Sequence, residues 1–524
     1  VGGSLTRSLR IDGQQLALLS AGTLLAGASL LPLLALLGDA AASSENAIAL
    51  LSGARPWVLI ARSTWLAALV TVAALVLGIP LGALIALTDV RGARAAAALH
   101  AFPMFLPPFI LALGWFHLFG RSGLFGSAET SRLLFSDIGV VGVLALAFAP
   151  VVTSLLAVAL RGIDPSLEEA ARTMAPPFRV ATRILIPAAA PALALAAIVV
   201  FALAFSELGV PMFLRVDAFP AAVFARLGGI DYAPGEAFAL VLPLLPLALL
   251  LLALERRYAG RRSFAVLGLR SRSRERLCVG RWRAIVSVVV WTLVLAPLLP
   301  IAALVWRAWV RGGFAQLSSW LGWAPLNSLI SGAIAATLVC AVALVLGHAV
   351  ARRVPGSLWL DAVAVLAFVT PAAVLGVGLI GVWNRSATQV VYGSVLILVV
   401  GFVARYAAVA VRAVAASVAQ TQVHLEEAAA ACGARYWRRL LRVVFPLHRR
   451  GVAFAWLLAF VFCLRDLETA ALFYPPGGEP LTVRLFTLEA NGPEAVLAAL
   501  AVTQVAMTAV ALGAAASVWR SAEA

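Results

Sequence analysis

Apolar runs about 20 residues long, separated by short polar clusters rich in arginine, recur along the whole chain. They lie near residues 16–38, 61–87, 96–119, 138–160, 184–206 and 235–254, and again near 284–306, 328–350, 359–383, 390–411, 451–473 and 494–517. Twenty helical residues cover about 30 Å, the thickness of a hydrocarbon core. Lipid offers no partner to backbone N–H and C=O groups, so each run is expected as a helix. The pattern predicts an all-α integral membrane protein with about 12 transmembrane helices.

The second set of runs repeats the first. ALVLG occurs at Ala74–Gly78 and at Ala343–Gly347; Pro107, Leu111 and Gly114 return as Pro371, Leu375 and Gly378; LEEAA begins at Leu167 and at Leu425. Six spans in each copy, with both ends on one side, make two parallel six-helix repeats related by an axis along the membrane normal, and a translocation path on that axis is expected. The expected units are a first half over 1–254, a basic linker over 255–283 and a second half over 284–524.

Composition narrows the chemistry. Of the 524 residues 63% are hydrophobic and only 12% charged, with a mean hydropathy of +1.00. All 40 basic residues are arginine. A chain without lysine has no phosphate-binding loop of the Walker A type and no Schiff-base nucleophile, so any ATP-driven work needs a partner's nucleotide site. The cysteines Cys278, Cys340, Cys432 and Cys463 are scattered, and the histidines lack metal-ligand spacing, so neither a metal site nor a catalytic constellation is expected. Most arginines fall on the cytoplasmic side if both termini are cytoplasmic, with Arg62 and Arg405 inside spans; Arg405 is expected to snorkel to the cytoplasmic surface. The first run ends near Ala40-Ala41-Ala42, as a signal peptide would, but exceeds the 7–15 residues of a signal core, so it is expected as an uncleaved span. Ten arginines between Arg256 and Arg283 read as a topology-fixing linker against anionic headgroups, with no folded module for nucleic acid.

The repeated acidic patches fall in cytoplasmic loops under this orientation. In SLEEAARTMAPPFRVATRILIP, Asp164 or Ser166 can cap a short helix, with Ser166 and Glu169 at capping-box spacing. Glu168 and Glu169 then sit at the positive end of the helix dipole. Ala170 and Ala171 leave a flat surface that another protein can approach, and Pro176-Pro177 ends the helix. In HLEEAAAACGARYWRRLLRVVFP, Gly433 can supply a left-handed C-cap. An ordinary capped loop helix accounts for one such patch; two at equivalent places are more specific.

These patches resemble the EAA loop of ABC importer permeases: Glu-Ala-Ala, three residues, Gly, then an Ile-x-Leu-Pro-like ending. The second copy matches with Glu427, Ala428, Ala429, Gly433 and Pro446; the first with Glu169, Ala170, Ala171 and Pro187, with Ala175 in the glycine position and one residue fewer. With TPAAVLGVGL, RYAAVAVRA and LRDLETAALFYPPGGEPLTVRLF, the whole chain is similar to the fused permeases of the ferric-iron import family, although Glu468 and Ala471 depart from its usual pattern. The resemblance implies a type I ABC importer-like permease fold and an EAA helix seated in a groove of an ATPase subunit, with Arg435, Arg438, Arg439 and Arg442 available to hold the contact. It implies two copies of that ATPase, which bind the ATP, and an external substrate-binding protein. Thiamine, phosphonate and polyamine permeases are the alternatives.

Glu207 follows Pro187 by 20 residues, and Asp466 follows Pro446 by the same interval. At 1.5 Å per residue both acids are expected at the outer rim of their spans, about 30 Å on, facing each other near the axis and favouring a cationic cargo. Glu468 lies on the same segment. A hydrated rim carboxylate, or one paired with Arg465, is the structural alternative. A proton-coupled secondary transporter, for which TDVRGAR at Thr88–Arg94 gives an inexact signature, and a membrane enzyme are the rival classes.

Overall fold

The computed structural model describes residues 13–42, 51–163, 165–228, 234–258 and 279–520. Among these, nine helices are long and apolar enough to cross a membrane singly, and three further pairs do so only if each bent pair counts as one span.

Each half is built around three helices that pack most closely together: Ala54–Leu87, Asp137–Arg161 and Ala190–Ser206 in the first, Ala324–Ala351, Val395–Val418 and Phe445–Arg465 in the second. The repeated ALVLG shows why. A Cβ on Gly78 would stand 2.6 Å from the Val152 Cβ, and one on Gly347 would stand 2.8 Å from the Val411 carbonyl oxygen. Only glycine permits these two crossings, which lie at matching places in the two cores.

Three expected spans are not straight: the run at 184–206 is broken by 64° between Ala188 and Ala190, and two others bend more sharply at matching places. The runs at 96–119 and 359–383 fold as Ala93–Phe105 with Pro108–Phe119, bent by 101°, and Ser357–Val369 with Ala372–Trp383, bent by 108°. Pro107 and Pro371 occupy the breaks, with Leu106 and Thr370 extended before them. A proline lacks the N–H to continue the ladder and pushes its predecessor out of the helical region. Each second arm has 12 residues, about 18 Å of helix, too short to cross alone.

Those second arms receive the first span of the opposite half. The Pro108–Phe119 arm packs on Leu299–Val310, and Ala372–Trp383 packs on Leu31–Ala42. At the contacts a Cβ on Gly114 would meet the Pro300 carbonyl oxygen at 2.4 Å, and one on Gly378 the Pro32 carbonyl oxygen at 2.6 Å. The repeated proline and glycine thus encode one device, a bend followed by a close seat for an exchanged helix. The exchange ties the halves together, and the boundary drawn at 254 does not separate two packing units. The basic linker falls largely on residues outside those described; Glu255 and Arg256 belong to the Leu244–Tyr258 helix, where Arg412 bonds Glu255 at 2.7 Å and Arg256 bonds Asp361 at 2.9 Å.

Outward faces carry the apolar side chains a bilayer would cover, among them Val72, Val76, Ile285 and Val288, with Trp306, Trp309 and Trp323 near helix ends where an interfacial belt belongs.

Candidate functional site: two Glu-Ala-Ala loops and a charged cavity

The first Glu-Ala-Ala segment forms a helix over Pro165–Met174, the second over His424–Ala431. Pro165 begins the first helix and Ser166 is its second residue; Asp164 is outside the described residues. Gly433 ends the second at φ +79°, and the N–H groups of Gly433 and Ala434 donate to the carbonyls of Ala430 (2.9 Å) and Ala429 (3.0 Å), a Schellman closure that needs the left-handed residue. Before each terminal proline stands a five-residue π-helical segment, Ala181–Leu185 and Leu440–Val444. The rings of Pro187 and Pro446 would clash with the carbonyls four residues back, on Arg183 and Arg442, and the wider turn containing those residues accommodates them.

The paired glutamates point apart. Glu169 and Glu427 are exposed together with Ala170 and Ala428, while Ala171, Ala175 and Ala429 are half-buried and Pro187, Gly433 and Pro446 are exposed. The preceding acids turn inward, a role the sequence reading missed although adjacent positions on a helix stand 100° apart. Glu168 is buried and meets Arg172 at 3.0 Å. Glu426 accepts hydrogen bonds from Arg352 Nη2 at 2.7 Å and Nε at 2.9 Å, lies 2.8 Å from His348 Nε2, and shares Arg352 with the Thr421 carbonyl. Burial by itself would raise its pKa, but the contacts with His348 and Arg352 win and hold it at about 2. Around the first loop Met174, Phe178 and Leu167 are exposed; around the second Leu425, Trp437 and Leu441 are.

Glu207 and Asp466 occupy equivalent places, each just past the end of a core helix, and each carboxylate accepts a backbone N–H three residues on: Val210 to Glu207 Oε1 at 3.3 Å, Thr469 to Asp466 Oδ1 at 2.8 Å. The bonds tie the two carboxylates to the N-terminal ends of the short helices Gly209–Phe213 and Ala470–Phe473. Neither is a hydrated rim group, since they are 2% and 3% exposed. Asp466 accepts the Tyr406 hydroxyl at 2.5 Å, and Tyr406 stands near the middle of the 24-residue Val395–Val418 helix, so the acid lies well inside the bundle.

Both acids line one cavity between the halves, with about 550 Å³ of empty space including its mouth, walled by Pro107, Phe109, Phe368, Tyr406 and Phe462 and by the charged groups Arg405, Arg465 and Glu468. The expected facing of Glu207 and Asp466 is replaced by another. Asp466 is taken up by Tyr406, Thr469 and the Ala470 N–H, and Glu468 is the acid whose charge Glu207 meets. Arg405 does not snorkel: its side chain is 5% exposed and its Nη2 donates to Glu468 Oε2 at 2.6 Å. Arg465 donates to the Met104 carbonyl and sits over the Phe462 ring. Among the described residues no three potential ligands converge on a metal position.

Residues 78–263 and 340–519 both match the family of binding-protein-dependent transport system inner membrane components. The chain belongs to that family. It is 26% identical over 390 residues to the putative ferric transport system permease protein FbpB 1 of Haemophilus influenzae, an alignment covering 68% of this chain and 61% of that protein. It is 27% identical over 390 residues to the ferric transport system permease protein FbpB of Actinobacillus pleuropneumoniae, covering 68% of this chain and 56% of the relative. A putative 2-aminoethylphosphonate transport system permease protein, PhnV of Salmonella typhimurium, is 28% identical over 150 residues, 29% of this chain and 56% of its own. The chain thus spans roughly three fifths of the length of these ferric relatives. Each family match takes in the last part of the first core helix, the other two core helices and the Glu-Ala-Ala loop of its half, and together they make the chain a multi-pass membrane component of two fused permease halves.

Proposed function

We propose that this chain is the membrane-spanning subunit of an ATP-driven importer for ferric iron. Two copies of an ABC ATPase would seat on the loops at Glu169 to Pro187 and Glu427 to Pro446, bind all the ATP used, and rock the halves about the cavity between them. An external substrate-binding protein would deliver the ion, and both termini would be cytoplasmic, with membrane lipid around the bundle and no role for nucleic acid. The observation that carries the reading is the double match to binding-protein-dependent permeases, each copy presenting an exposed Glu-Ala-Ala helix. Exposed apolar side chains beside acids that point outward suit a groove on a soluble partner, and Arg435, Arg438 and Arg442 add cations beside the second helix.

The ferric relatives and the three acids of the cavity favour a cation. A phosphonate is the second reading, favoured by the Salmonella relative and by the guanidiniums of Arg405 and Arg465. The test is affinity purification of the chain with its ATPase, followed by reconstitution and addition of a loaded binding protein. ATP-dependent accumulation of ferric ion supports the first reading and accumulation of phosphonate the second. A chain that purifies alone and transports without ATP is a secondary transporter.

A further inference from the structure

The cavity between the halves holds charges that do not close among themselves. Asp466 accepts from Tyr406, Thr469 and the Ala470 N–H and also stands 3.6 Å from Arg405 Nε, while Arg465 is committed to the Met104 carbonyl. What remains is Glu207 from one half, Glu468 and Arg405 from the other. Glu207 Oε2 is buried with no N–H or hydroxyl donor and with the Glu468 carboxyl as its neighbour, and Arg405 Nη1, on a residue 4% exposed, has no acceptor. Inside a membrane bundle an unsatisfied carboxylate is strongly disfavoured and is kept for a purpose. Arg405, moreover, exists in one half only: the equivalent position in the first half is Ala147, buried in its core.

We propose that Glu207 and Glu468 form a transient station for a hard, multiply charged metal cation, and that Arg405 is a tethered stand-in that neutralises the station when it is empty. This deepens the permease reading and rests on it for the direction of travel. Carboxylate oxygens are the donors such ions prefer. Two carboxylates from opposite halves, joined by no third metal ligand among the described residues, bind weakly enough to release, as a conduction site must. An arriving ion of higher charge displaces the guanidinium from Glu468 and also satisfies the orphaned oxygen of Glu207, which Arg405 leaves unpaired. Because the two acids belong to different halves, any rocking of the halves separates them and weakens the site.

The arrangement predicts effects of opposite sign. Purified chain in detergent is titrated with Tb³⁺, a luminescent hard trivalent ion excited through nearby aromatic rings, Tyr406 among them. E207Q and E468Q should each weaken saturable Tb³⁺ binding by about tenfold, since each removes one of two anionic donors. R405Q should tighten it by a similar factor by removing the competitor, while R405K stays near the parent chain. Unaltered titrations in E207Q and E468Q, no saturable emission from the parent chain, or weaker binding in R405Q would each overturn the proposal. E207Q, nearly isosteric and not bonded to Arg405, keeps the test decisive if R405Q fails to fold. Capture of the ATPase is scored separately: capture with flat Tb³⁺ titrations sinks the station alone, and Tb³⁺ binding without capture sinks the permease reading alone.

Discussion

The two Glu-Ala-Ala loops come from one repeated sequence, yet they are fastened to their halves by different physics. The first rests on an apolar cluster in which Leu87, Leu156, Leu160, Val180 and Leu185 are buried and Ala171 and Ala175 pack from the loop itself. The second is clamped by charge, with Glu426 bridging His348 and Arg352 on the long Ala324–Ala351 helix. The first half has Ile79 and Ala83 where those two residues stand, and Glu168 pairs with Arg172 of its own helix at 3.0 Å. The two loops can therefore present the same outer face, Glu169 with Ala170 and Glu427 with Ala428, while their inner faces diverge.

Exchanging the damage between loops breaks this comparison most sharply. Leu185→Ala, at a fully buried site, should loosen the first loop by about 3 kcal/mol and leave the second unchanged. Hydrogen exchange over 165–185 and 423–440 reads both effects in one sample. Glu426→Ala should do the converse at roughly 2 kcal/mol, because it strands Arg352 and His348 beside one another. Equal loosening of both loops by either variant would contradict separate fastening.

Smaller effects sharpen it. Gly433→Ala places a side chain at φ +79° and should destabilise the end of the second helix by about 1–2 kcal/mol. Ala175→Gly in the first loop, where no positive φ occurs, should change stability by less than about 1 kcal/mol, as thermal unfolding of the purified chain will show. Acidification separates the loops again. The folded pKa of Glu426, about 2, lies below the ordinary 4.5, so its clamp contributes fully above pH 4.5 and fades as pH falls towards 2. Exchange protection should decline over that window in the second loop first.

Much of this was legible in the residues. The ALVLG, proline-glycine and LEEAA repeats gave the duplication, and the apolar runs gave the membrane spans, because hydropathy and repetition are local properties of a chain. The 101° and 108° bends escaped because Pro107 and Pro371 sit within unbroken apolar runs, where length alone reads as one span. Counting 20 residues from each proline placed Glu207 and Asp466 correctly as equivalents but set them at the rim. The Phe445–Arg465 helix ends beside Tyr406, near the middle of its neighbour Val395–Val418. Nothing local could show that Asp466 would be consumed by Tyr406, sixty residues earlier, or that Glu468, a departure from the family pattern, would be the acid presented to Glu207. The exchanged first spans were equally hidden, since the residues that demand them, Gly114 with Pro300 and Gly378 with Pro32, lie in different halves.

The most direct test of the proposed function is uptake into vesicles holding the chain and its captured ATPase, compared between the parent protein and the double variant Glu169→Arg with Glu427→Arg. The parent should accumulate cargo only with ATP and the loaded binding protein, and reversing both outer acids should reduce uptake by at least about tenfold while the ATPase is lost from the complex. Undiminished uptake in the variant, or accumulation by vesicles that contain no nucleotide-hydrolysing subunit, would contradict it.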